Sequence, residues 1–107
     1  MYTVMNNPIV WWPVVISVPI DGGKTSEHEV SLQLKIVEED EYNEIVIKGE
    51  KAILKHVIKG WKHIDDIDGK AMKFTPENLD VLLKKSFVHR SFMIGYVNAS
   101  IGVVVKN

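Results

Sequence analysis

An α+β fold is predicted, with an N-terminal antiparallel β-hairpin or small sheet followed by about four α-helices in a single domain, residues 1–107. Three observations predict it. Apolar residues alternate with period two through the first third of the chain, on both sides of an Asp-Gly-Gly-Lys turn. From residue 38 onward the apolar spacing changes to the three-and-four pattern of helices. A run of strands followed by a run of helices implies segregated layers rather than a βαβ alternation. At 107 residues the chain can bury one core but not two.

The first strand is expected over residues 10 to 20, where every even position is apolar: Val10, Trp12, Val14, Ile16, Val18 and Ile20. Asp21-Gly22-Gly23-Lys24 supplies the turn. The second strand, residues 27 to 37, places Val30, Leu32, Leu34 and Ile36 on one face and Glu27, Glu29, Ser31, Gln33 and Lys35 on the other. The strands differ in one respect. The first also carries Ile9, Trp11 and Val15 on the face that should be wet, and Pro13 and Pro19 interrupt it. Prolines remove ladder donors, which suits an edge strand or a bulge. Either a helix or the N-terminal segment covers Trp11, or this face is a subunit or partner contact.

Acids at Glu38 to Glu41 suit the first turn of a helix over residues 38 to 48, which Gly49 breaks. A second helix is expected over residues 50 to 59, with Ile53, Leu54, Val57 and Ile58 on one face and Gly60 ending it. Residues 61 to 64 and 71 to 74 read as two short extended pieces around an Asp68-Gly69 turn, or as an ordered loop. Thr75-Pro76-Glu77 gives a capping hydroxyl, a first-turn proline and a first-turn acid, opening a third helix to Lys85 with Leu79, Leu82 and Leu83 inward. A fourth helix follows over residues 87 to 100, with Val88, Phe92, Tyr96 and Ala99 at helical spacing. Residues 101 to 107 form a tail, loose or a short strand.

The chemistry the chain can support is narrow. No cysteine is present, so disulfides and thiolate metal sites are excluded. Thirteen basic against fourteen acidic residues give a net charge of −1, which disfavours a sequence-blind grip on nucleic acid. The apolar run from Pro8 to Ile20 has no basic start and is too short to span a bilayer, so a soluble, intracellular protein is expected. Asp65, Asp66 and Asp68 invite a calcium loop. With Gly69 at the sixth position, though, the first and last ligands would be Ile64 and Thr75, neither a carboxylate. His28, His56, His63 and His89 lack metal-ligand spacing, and no nucleophile motif or phosphate loop is present. No catalytic residue, metal or cofactor is expected, and the protein is read as not an enzyme.

Charge is unevenly spread. Residues 38 to 50 hold six acids and one lysine, and residues 51 to 73 hold six lysines, two histidines and three aspartates. Lys51, Lys55, Lys59 and Lys62 fall close to one helical stripe. Such runs are commonly solvated faces. Alternatively they dock a charged partner, self-associate or touch nucleic acid.

The stretch Gly60-Trp61, Ile64, Asp66, Asp68-Gly69, Met72, Phe74-Thr75, Glu77, Leu79 and Leu82-Leu83 matches a pattern G-W-x-x-I/V-x-D-x-D-G followed by F-[ST]-x-E-x-L and a leucine pair. With Phe87, Tyr96 and Ala99 in the last helix and Pro19, Asp21 and Gly22 in the hairpin, it resembles the tail assembly chaperones of long-tailed bacteriophages and prophages. The resemblance covers most of the chain through architectural motifs. It implies a non-enzymatic chaperone in the cytoplasm of a bacterial host, binding the tape-measure protein, aiding recruitment of the tail-tube protein, and often self-associating as an oligomer. It also implies a longer frameshifted form, which an A-rich run encoding Lys106-Asn107 would permit. The alternatives are a small structural tail-completion subunit of the virion, or a nucleic-acid-binding regulatory domain using the lysines. Trp11, Val15, Lys55, Lys59 and Lys62 are the candidate partner-binding residues. Gly60, Trp61, Asp68, Gly69, Phe74, Thr75 and Pro76 are assigned to the structural motif.

Overall fold

The structure, a computed structural model, describes residues 1–104; the Lys106-Asn107 end lies outside the described residues. Period-two patterning produces the long hairpin it predicts: β1 (Ile9–Ile20) pairs antiparallel with β2 (Lys24–Lys35), Trp12 opposite Leu32 and Val14 opposite Val30. The even face of β1 looks into the core, where Val14 is 2% exposed and Leu32 and Leu34 are 0%. Four helices follow: α1 (Glu39–Val46), α2 (Glu50–Val57), α3 (Pro76–Leu83) and α4 (Ser86–Ser100). The fold is α+β, as expected. Among the described residues no helix is long and apolar enough to cross a membrane.

One element departs from the expectation. The helix anticipated to residue 59 stops at Val57, and Ile58–Lys62 forms β3, antiparallel to β2 in a sheet ordered β1-β2-β3. Gly60 therefore sits inside a strand and does not end a helix. The free edge of β2 needed a partner for its backbone groups, and that outweighed a helical spacing which Ile58 alone would have continued. The change of backbone also turns the side chains. Ile58 and Trp61 pair with Leu34 and Leu32 in the core, while Gly60 and Lys62 lie opposite Gln33 and Ser31, Gly60 buried and Lys62 exposed.

The helices close over the even face. Ile53, Leu54, Val57 and Phe92 are 0% exposed, and Tyr96 is 2%. The Tyr96 hydroxyl accepts a hydrogen bond from the Val37 backbone N–H at 3.2 Å, and its ring stacks on Tyr42 at 5.9 Å, which fastens α1 to α4. Burial pushes the Tyr96 phenol above the usual tyrosine range.

α4 also reaches the free edge of β1. The Ser17 N–H donates to Ser91 Oγ at 3.2 Å, so the backbone at Ser17 points away from β2. Alternation along an antiparallel strand then turns the odd positions outward, including Pro13 and Pro19. β1 is the edge strand its prolines suggested, and neither proline removes a donor from the β1–β2 ladder. The start of the tail is a turn at Ile101-Gly102, after which the Val103 carbonyl accepts from the Trp12 indole N–H at 3.2 Å.

Candidate interaction surface

The Trp61–Leu83 stretch folds as a closed module. Trp61 is 8% exposed; its indole N–H donates to the Met72 carbonyl at 2.7 Å, and Phe74 meets its ring edge-on at 4.9 Å. The two short extended pieces are present as an Asp65–Ala71 bridge, with the Met72 N–H donating to the Ile64 carbonyl at 2.8 Å. Between them Gly69 closes the turn by donating to the Asp66 carbonyl at 3.0 Å, with φ of +79°, a conformation that favours glycine. Asp66 organises this turn: its Oδ1 accepts from the Asp68 N–H at 2.9 Å and the Lys70 N–H at 3.0 Å. Asx turns of this kind are a known use of aspartate, so Asp66 was legible by type though not set beside Asp68 as a turn former. Thr75 Oγ1 caps α3 by accepting from the Asn78 N–H at 3.0 Å, with Pro76 in the first turn. Among the described residues no three histidines and acids gather into a metal-holding group.

The candidate partner residues separate into three places. Trp11 lies on the outer sheet face, 42% exposed, with Lys62 Nζ 4.2 Å from its ring centroid. That is a cation–π distance. The Trp11 ring reaches across to Gly60, where a Cβ would lie 3.6 Å from it. Val15, two positions beyond Pro13 on the same odd-numbered row, is half-buried beside α4. Lys55 is elsewhere, on α2, paired with Asp80 at 2.8 Å. That hydrogen bond and charge hold the Asp80 carboxyl below the usual carboxylate range. Lys59 is exposed on β3, next to the irregular pairing at Gln33/Leu34. The expected stripe through Lys51, Lys55, Lys59 and Lys62 is thus divided, because the last two belong to a strand. The acidic segment is tied to the basic one through His56–Glu41 at 2.7 Å and to α4 through His89–Glu50 at 2.9 Å.

Sequence reasoning missed the contribution of α4. Ile94, Val97 and Ile101 follow one another at helical spacing and are 47%, 44% and 67% exposed. Between α4 and β1 runs a groove of about 320 Å³, walled by Pro13, Val15, Phe87, Ile94, Asn98 and Arg90. Its depth depends on Gly95. A Cβ there would stand 2.6 Å from Val14 Cγ2, so only glycine lets the helix come this close. Glycine inside a helix costs about 1 kcal/mol relative to alanine, and that cost is the signal that a close packing contact sits there.

The comparisons fit a phage origin. A family model described as YdaY prophage protein matches residues 23–98, from the hairpin turn through most of α4. No curated protein and no solved structure matches the chain. With most of its length matched, module and helices included, the chain belongs to the YdaY prophage protein family.

Proposed function

We propose that this prophage protein is a non-enzymatic binding protein, and within that class a tail assembly chaperone that holds the tape-measure protein and helps bring tail-tube subunits to it, in the cytoplasm of the bacterial host. One observation carries the reading. Apolar side chains stay accessible along the odd row of β1, at Ile9 and Trp11, and on α4, at Ile94 on the groove wall and Val97 in the adjoining hollow. A helical, aggregation-prone client needs a surface of this kind, one that buries apolar area reversibly. The pattern shared with tail assembly chaperones supports the finer assignment. The nucleic-acid alternative loses the continuous lysine stripe on which it drew.

Co-expression with a fragment of the tape-measure protein from the same prophage tests the reading. The fragment is expected to shift from the insoluble to the soluble fraction and to co-purify with this chain. A fragment equally insoluble with and without the chain removes the chaperone reading, and finding the chain in purified virions favours a tail-completion subunit instead.

A further inference from the structure

Arg90 is the chain's sole arginine. It lies on α4 where the β1–α4 groove meets a second hollow, lined by Tyr42, Met93 and Val97. It is exposed, and it makes no ion pair with any described residue. Glu50 lines the same hollow, but its carboxylate is held by His89 Nε2 at 2.9 Å. Among the described residues Arg90 is also the only charged one on the groove walls, which are otherwise apolar or neutral.

The shape of the edge decides what kind of segment fits. A strand could add to β1 only through outward backbone groups. Pro13 and Pro19 offer no N–H, and the Ser17 N–H is already taken by Ser91. Strand addition is therefore interrupted three times along one edge, and the groove must be read by side chains. A helix laying an apolar stripe against Ile94 and Val97 satisfies that requirement. Covering Arg90 without a partner would strand a buried charge, whereas a carboxylate can take its planar fork bidentately. A second copy docking through α4 brings no acid from that helix, and the nearby Glu50 carboxylate is already engaged by His89.

We propose that the β1–α4 groove selects an amphipathic helical segment bearing carboxylates beside its apolar stripe, with Arg90 as the residue that determines this specificity. The proposal rests on the binding reading above and names the chemistry of the client segment. Arg90 anchors the carboxylate and sets the helix's register, while Ile94 takes the stripe in the groove and Val97 continues it into the adjoining hollow.

The test uses the full chain and two synthetic helical peptides with the same leucine stripe, one flanked by glutamates and one by lysines, followed by fluorescence anisotropy. The glutamate peptide is expected to bind about tenfold more tightly. Arg90→Gln should remove that preference and Arg90→Glu should reverse it, with the thermal unfolding of both variants unchanged. Ile94→Ser should weaken both peptides alike. A preference that survives Arg90→Gln overturns the assignment to Arg90 while leaving groove binding in place. If neither peptide binds, or if Ile94→Ser changes nothing, the groove reading falls and this inference with it. Sedimentation that shows Arg90 buried between two copies, as a dimer lost in Arg90→Glu, also overturns it.

Discussion

The module from Trp61 to Leu83 and the face shared by β1 and α4 are built on opposite terms. In the module the polar groups are answered: the Trp61 indole by Met72, the turn amides by Asp66, the helix start by Thr75. On the β1–α4 face, apolar side chains remain in water and an arginine has no described counter-ion. The module spends these polar groups on itself but leaves Ile67 and Val81 in water, whereas the β1–α4 face keeps both apolar side chains and a charge unengaged. The stretch richest in recognisable motif is thus the scaffold, and the contact surface lies on the parts whose pattern looks imperfect.

Substitutions can break that contrast on the scaffold side, beginning with the largest effect. Trp61→Ala removes a buried ring together with its hydrogen bond to Met72 and should lower stability by about 3–5 kcal/mol. Urea unfolding with a normal midpoint would show that the module is not core. Gly95→Ala forces a methyl against Val14 and should cost about 1–3 kcal/mol even after the helix-propensity gain. Because α4 must back away, groove binding should fall as well, which calorimetry and peptide anisotropy would read together. Gly69→Val puts a β-branched residue at positive φ and should cost about 1–2 kcal/mol; a variant melting like the parent contradicts the turn. Thr75→Ala, which deletes the α3 cap, is the mildest at about 1 kcal/mol, and faster amide exchange at Asn78 should accompany it.

Much of this was legible because local rules and tertiary structure agree. The even row of β1, the Thr75-Pro76 cap and the Asp68-Gly69 turn are each specified by neighbours in sequence. β3 was not legible, since Ile53, Leu54, Val57 and Ile58 have helical spacing and only the unpaired edge of β2 converts the last of them to strand. That conversion relocated Lys59 and Lys62 and brought Lys62 over Trp11, a pairing no sequence window spans. Trp11 was identified from its place on the wrong face of a strand, and it is exposed as that argument required. Val15 came from the same argument, but it is half-buried. The groove itself depends on two distant segments meeting, and its only local traces were a glycine inside a helix and a lone arginine.

The most direct measurement pairs stability with capture in the single variants Trp11→Ser and Ile94→Ser, each compared with the parent for Tm and for the tape-measure fragment kept soluble on co-expression. Surface positions that serve binding alone should leave Tm within about 3 °C while soluble fragment is largely lost. Variants that melt far below the parent, or that keep the fragment soluble as well as the parent does, would contradict the division between a closed scaffold and an open contact face.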